Sequence, residues 1–344
     1  MTDPRRWKGA SVTMLAVAVG VAVLGGCGDG GSPGHRYPLD AVLRVNHVQA
    51  KGTHNSYHQR PAEPLPTLIH EWNYTMPSLT DQLERDGVRQ VELDVHFQLK
   101  EGRLAVYHIP LVDPRTVCFW FTDCLAEMKA WSDAHPDHHP MLILVEPKDD
   151  IDVVKLDDHL DEIDAEIREV WPLERVLTPD RIRGTASTLG EALSTSGWPT
   201  LGESRGTVLF ALNDPGRLRD LYVEGNRSLV GKMMFARYEP DDPNASVLVI
   251  DGAAGRESEI GAALANHKLI RSTADGAASA GDGDTADRDA ALTAGSQYIS
   301  TDFPEAGSGP NGYSFAIPEG TPSRCNPASA PPECTSAAIE DLGG

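Results

Sequence analysis

Val91-Glu92-Leu93-Asp94-Val95-His96 lies inside a segment at 88–97 that reads as a strand. Successive strand side chains point to opposite faces, so Val91, Leu93 and Val95 share one face and Glu92, Asp94 and His96 the other. On an antiparallel sheet with one wet face, those charges would simply meet water. A parallel strand wrapped by helices is buried on both faces, and a carboxylate there is costly unless it is paired or holds a metal. The flanking chain decides between these readings.

Seven more segments read as strands: 45–50, 103–108, 141–145, 207–212, 232–237, 268–272 and 297–301, with 247–250 as an extra short one. Helical patterns separate most of them. One covers 78–86, ended by Gly87, and another covers 125–135. A third starts near Asp149 or Asp150 and carries Leu156, Leu160, Ile163, Ile167 and Val170 on one face. Others cover 257–266 and 285–294, the last ended by Gly295. Strands alternating with helices imply a parallel sheet, and eight of them an α/β fold of the (β/α)8 TIM-barrel type. The connection after the first strand is Pro-rich and weakly helical, so irregularity is expected there. A doubly wound open sheet is the fallback. The barrel would span 41–304, with 305–344 a Gly/Pro-rich tail.

Of 344 residues, 40% are hydrophobic, enough for a barrel-sized core, and the formal net charge is −21. That charge argues against nucleic acid and against electrostatic docking on anionic lipid, and suits a cation. Arg5, Arg6 and Lys8 precede an apolar run at 10–24 that is short for a membrane span. It ends in Leu24-Gly25-Gly26-Cys27, which resembles the lipobox of bacterial lipoproteins. The resemblance implies a leader at 1–26, lipid on Cys27, a flexible tether over 27–40 and residence on the outer face of the cell membrane; plain secretion is the alternative. Removing Cys27 leaves Cys118, Cys124, Cys325 and Cys334, two local pairs read as disulfides in an exported chain. Their spacing fits zinc poorly.

Strand carboxyl ends converge on the mouth of a barrel. Glu146 follows 141–145 and His108 ends 103–108. In Gln49-Ala50-Lys51-Gly52-Thr53-His54-Asn55-Ser56-Tyr57-His58, an apolar run meets a glycine and then His54 and Asn55. Asn55, Glu92, Asp94 and Glu146 would give an all-oxygen shell, favouring Ca2+ or Mg2+ over zinc. His54 and His108 remain as proton carriers. A divalent ion with two histidines suits phosphodiester cleavage.

At these residues the chain resembles the phosphatidylinositol-specific phospholipase C superfamily, particularly its calcium-dependent bacterial members. Thr53-His54-Asn55-Ser56-Tyr57, Val91-Glu92-Leu93-Asp94, Val106-Tyr107-His108 and Leu144-Val145-Glu146 carry the likeness, with weaker support from Leu269-Ile270-Arg271 and Tyr298-Ile299-Ser300-Thr301-Asp302. The resemblance implies Ca2+ on Asn55, Glu92, Asp94 and Glu146, and attack of the inositol 2-hydroxyl on phosphorus. Diacylglycerol leaves, and a 1,2-cyclic inositol phosphate forms that water can open. It implies Glu146 or Glu92 as general base, His54 stabilising the charged phosphorane and His108 protonating the leaving oxygen. The eukaryotic regulatory domains and the lysines that grip ring phosphates have no counterpart, which favours unphosphorylated phosphatidylinositol; the chain is expected to act as a monomer. Lys148 and Arg271 are candidates for substrate contact, against a reading as solvated strand-end charges.

Two other functions compete. A glycerophosphodiester phosphodiesterase shares the barrel, but its relatives usually show His-Arg-Gly where this chain has Thr53-His54-Asn55. A surface lipoprotein that binds inositol lipids without turnover would need neither histidine. Phe119-Trp120-Phe121, in the loop 118–124, could dip into lipid or pack on the rim. His135, His138 and His139 precede a strand and read as a polar loop on the opposite face. Asp282-Gly283-Asp284 lacks EF-hand spacing and reads as an acidic loop.

Overall fold

The computed structural model describes residues 37–149, 155–319 and 322–340. The expected leader, Cys27 and most of the tether lie outside the described residues, as does Asp150. Ten strands form in chain order: β1 (Val48–Thr53), β2 (Val88–Gln98), β3 (Arg103–Val106), β4 (Met141–Pro147), β5 (Val208–Leu212), β6 (Met234–Ala236), β7 (Val247–Val249), β8 (Leu269–Thr273), β9 (Tyr298–Thr301) and β10 (Ser323–Cys325). Eight run parallel in the order β6-β5-β4-β2-β1-β9-β8-β7, a nearly closed barrel with helices between strands. The seam lies between β6 and β7. Both strands have three residues, and the link between them contains Pro240 and Pro243, which have no N–H to donate to a ladder.

The strand number expected for the barrel holds, but its membership changes. Residues 103–108 do not supply a barrel strand. The eleven-residue β2 overshoots the barrel, and β3 folds back antiparallel on its outer end, with Val106 opposite Val95. The short 247–250 candidate takes the barrel place as β7. β1 also starts later than expected, because Val45–His47 forms a 3-10 turn. The helix expected from Asp149 begins at Leu160, behind a 3-10 turn at Asp157–His159, while Asp149 Oδ1 accepts the Leu156 N–H at 3.0 Å. The helix Phe121–Ala134 starts inside the Cys118–Cys124 disulfide, so most of 118–124 is not loop. Of its aromatics, Phe121 is buried, Trp120 lies under the Arg103 guanidinium and Phe119 is partly exposed.

Both faces of β2 are buried through Phe97, as a strand wrapped by helices requires. Gly52 sits where β1 and β2 shift register. A Cβ there would meet Gln90 Oε1 at 2.0 Å, so any larger residue would have to displace the Gln90 side chain. The chain after β9 returns to the barrel. β10 pairs antiparallel with the start of β1, Cys325–Cys334 closes, and Phe315, Ile317 and Ile339 join the main core.

The far end of the barrel holds a buried charge cluster rather than the polar loop expected around His138 and His139. Arg89 is fully buried, stacks on Trp131 and pairs with Glu340, whose Oε2 also accepts the His139 N–H at 3.0 Å. Burial would push the Glu340 carboxyl up, but Arg89 overrides it and holds it down at about 2. Burial keeps His138 and His139 neutral, lowered to about 4 and about 3. All three groups bind protons more readily unfolded than folded, so stability must fall as pH drops. The histidine part is lost from about pH 6.5 downwards and the Glu340 part from about pH 4.5 towards 2. Denaturant titration at pH 7 and pH 4 should show this loss, and Glu340→Gln should cost about 3–5 kcal/mol at pH 7 by stranding Arg89.

Candidate active site

The carboxylates of Glu92, Asp94 and Glu146 meet at the mouth of the barrel, with ligand oxygens within 4.8 Å of one another. Parallel register produces this, since Asp94 on β2 lies opposite Glu146 on β4, and Glu92 is two residues back on the same face. Ser56 ties the end of β1 to β2: its N–H donates to the Glu92 carbonyl at 3.0 Å, and its Oγ accepts the Glu92 N–H at 2.8 Å. That fixes Asn55 beside the acids, in a left-handed turn (φ 43°), with Oδ1 accepting from the Tyr57 hydroxyl at 3.2 Å.

The acids are held against strong opposition. Burial and the neighbouring Glu146 push Asp94 well above the usual carboxylate range. Burial also raises Glu92, against Arg271 and His54, which pull it down. Neither Asp94 oxygen makes a well-formed hydrogen bond among the described residues; Lys148 Nζ stands 3.3 Å from one of them and also bonds Glu146. Asn213 Nδ2 donates to Glu146 at 2.9 Å, and Arg237 steadies Asn213 at the same distance. Arg271 is buried, bridging Glu92 and Asp251 at 2.8 Å each. Lys148 and Arg271 are therefore not solvated strand-end charges; both neutralise the acid cluster. Three carboxylates with an under-satisfied buried member and no nitrogen donor fit a hard divalent cation.

The two histidines are each backed by a carboxylate. His54 follows β1, and its Nδ1 meets Asp302, just past β9, at 2.9 Å. β9 is β1's neighbour, so the pairing follows from barrel order. Burial pulls the His54 imidazolium down, but Asp302, helped by Glu92, overrides it and raises the ring to about 9. Asp302 is positioned in turn by Asp275, which accepts its N–H at 3.0 Å and the Tyr313 hydroxyl at 2.9 Å. His108 reaches the mouth because β3 runs back along β2, and its Nδ1 meets Asp113 Oδ2 at 2.7 Å. Its hydrogen bonds to His108 and His58 keep the Asp113 carboxyl low despite burial. His96 shares the face of Glu92 and Asp94 but lies further out, stacked on Tyr107, with Nε2 against the Tyr107 carbonyl at 2.9 Å.

All six residues singled out in the sequence for metal binding and proton transfer thus lie at one end of the barrel. Asp302 enters the sequence reading only as part of the weaker family likeness, without a role, and Asp113, Asp275 and Asn213 do not enter it. Asp302 and Asn213 follow strand ends, the signal that marked His54 and Glu146; Asp113 lies in a loop with no such signal.

A (β/α)8 barrel whose mouth gathers an acidic cation site and two carboxylate-backed histidines has the groups of a metal-assisted hydrolase. The family model for Ca2+-dependent phosphoinositide phospholipase C matches residues 43–105 and 98–327. The chain belongs to that family: it is a phosphoric diester hydrolase whose cofactor is Ca2+, with phosphoinositide phospholipase activity. Among solved structures it is similar to the calcium-dependent phosphoinositol-specific phospholipase C of a Pseudomonas species (18% identity, 84% of this chain and 97% of that one, TM-score 0.57). It is also similar to the Ca2+-dependent phosphatidylinositol-specific phospholipase C of Streptomyces antibioticus (21% identity, 76% and 95%, TM-score 0.54). No curated protein matches the chain. No helix among the described residues is long and apolar enough to cross a membrane.

Asp302→Asn removes the main charge that holds the His54 ring up and leaves Glu92 alone against burial, the largest effect, and Arg271. NMR titration should show the His54 transition falling from about 9 to below the ordinary histidine value.

Proposed function

We propose that the chain cleaves phosphatidylinositol to diacylglycerol and inositol 1,2-cyclic phosphate, which water can then open to inositol phosphate. The observation that carries this is the gathering of Glu92, Asp94 and Glu146 within 4.8 Å, at the same mouth as two carboxylate-backed imidazoles. Asn55, Glu92, Asp94 and Glu146 would hold Ca2+. When bound, it supplies a Lewis acid that offsets phosphoryl charge and lowers the pKa of a nearby hydroxyl.

The chain's own groups account for the proton movements. Glu146 or Glu92 takes the proton from the inositol 2-hydroxyl as its oxygen bonds to phosphorus. His54, kept protonated by Asp302, keeps its proton and donates a hydrogen bond from Nε2 to the phosphoryl oxygen as negative charge builds there. His108, oriented through Nδ1 by Asp113, gives its Nε2 proton to the departing diacylglycerol oxygen as the P–O bond breaks. One proton is removed and one returned, so no co-reactant is needed for the cyclic product. Lys148 and Arg271 tune the acid cluster, and Lys148, with its side chain about one-third exposed, is also within reach of a substrate phosphate. Disulfides at Cys118–Cys124 and Cys325–Cys334 suit an oxidising compartment, which supports export; lipid on Cys27, action at the outer face of the cell membrane and a monomeric state complete the proposal.

Phosphorus NMR on phosphatidylinositol vesicles should show the cyclic phosphate with Ca2+ and no change with chelator. His54→Ala and His108→Ala should each lower kcat by about 10^2–10^4. Ca2+ should also raise Tm, and Asp94→Asn should abolish that rise. An unchanged spectrum with Ca2+ rejects the lipase reading; turnover surviving chelation rejects the cation's role.

A further inference from the structure

A second set of metal-ligand side chains stands beside the oxygen cluster. His58 Nε2 and His108 Nδ1 converge on Asp113 Oδ2, at 2.9 and 2.7 Å, with ligand atoms within 4.8 Å of one another. The chemistry differs from the first set, with two imidazoles and one carboxylate instead of three carboxylates. His58 and Asp113 are fully buried, and His58 Nδ1 and Asp113 Oδ1 have no hydrogen-bond partner among the described residues. The proton-transfer reading above uses His108 and Asp113 but gives His58 no task.

We propose that His58, His108 and Asp113 form a site for a borderline transition-metal ion, Zn2+ foremost, separate from the calcium site, and that filling it switches off catalysis. The inference rests on His108 being the acid for the leaving oxygen.

Two histidines and a carboxylate with water as a fourth ligand make a normal tetrahedral zinc set, whereas Ca2+ takes oxygen ligands in larger number. Tetrahedral bonds of about 2.0–2.1 Å put ligand atoms about 3.3 Å apart. The two imidazole-to-Asp113 separations must therefore open by about half an ångström, with the Asp113 carboxylate drawing back to admit the ion. The rings are already oriented: His58 stacks on Tyr74 at 4.2 Å, and Trp72 meets the His108 ring edge-on at 5.7 Å. Reciprocal hydrogen bonds between Ile109 and Asp113 close the turn that carries two of the ligands. That turn has room to yield, since Leu111 at its tip is 96% exposed. His108 is partly exposed and gives the ion a way in from the mouth.

The consequence for catalysis follows from proton counting. Asp113 now faces N–H groups. A metal ion on His108 Nδ1 takes the lone pair that the proton used. A neutral ring keeps its single proton by moving it to Nε2, and an imidazolium releases one proton to solvent. In both cases the ring can no longer hold two protons, and the remaining N–H is a far weaker acid than an imidazolium. The leaving oxygen then goes unprotonated.

The test uses the full chain with saturating Ca2+. Micromolar Zn2+ should inhibit phosphatidylinositol cleavage, and raising Ca2+ further should not relieve it. Co2+ added in place of Zn2+ should give the intense visible bands of a tetrahedral ion at one per chain. His58→Gln places an amide N–H close to the former Nε2, so it can still bond Asp113, but it offers zinc no imidazole nitrogen. It should keep calcium-supported turnover, lose the Co2+ bands and need about tenfold more Zn2+, or beyond, for half-inhibition. Equal zinc sensitivity in wild type and His58→Gln, or relief by Ca2+, would place zinc among the oxygen ligands and overturn the proposal. Absence of both inhibition and Co2+ bands would reduce the trio to hydrogen bonds that orient His108. Should His58→Gln fail to fold, the calcium-competition experiment on wild type decides alone. Should the chain not cleave phosphatidylinositol, the Co2+ bands still decide the metal site, and the failure belongs to the lipase reading.

Discussion

Like charges forced together in a buried place govern this molecule. Asp94 and Glu146 are direct neighbours across two parallel strands, with Glu92 one pleat away, and water is largely excluded from two of the three. Carboxylates so placed repel each other and have lost their hydration. The barrel answers with Arg271 on Glu92, Lys148 on Asp94 and Glu146, and an amide from Asn213. Monovalent partners at the edges leave Asp94 without proper hydrogen bonds, which is what makes the mouth receptive to a compact double charge.

The scaffold exists to hold that arrangement still. Register between β2 and β4 sets the acids, and Gly52 lets β1 press against β2 so that Asn55 arrives beside them. The imidazoles are braced differently. His54 draws its carboxylate from the adjoining barrel strand, with Asp275 and Tyr313 behind it, whereas His108 and Asp113 share one short turn outside the barrel proper. One proton carrier is thus tied to the frame and the other to an appendage.

Much of this was legible in the chain itself, for identifiable reasons. Alternation in Val91-Glu92-Leu93-Asp94, set among strands and helices in turn, pointed to carboxylates inside a barrel because both faces of such a strand are buried. His54, Asn55 and Glu146 were found from their place after strand ends. The role of residues 103–108 was misjudged because periodicity distinguishes a strand but not its partner, and only the overlong β2 hints at a hairpin. Asp113 escaped because nothing in a turn's local sequence says which ring it will face. Arg89 and Glu340, 251 positions apart, could not be paired without the fold.

The position of β1 has a bearing on how the molecule is made. It is the first barrel strand to leave the ribosome, yet two of its neighbours, β9 on one edge and β10 on the other, are encoded in the last fifty residues. Until those emerge the sheet stays open and its longest-range pairings wait. Closure of the barrel therefore comes only after nearly all of these residues have been made, and a chain not yet closed is easier to thread through a narrow channel than one that has hardened into shape.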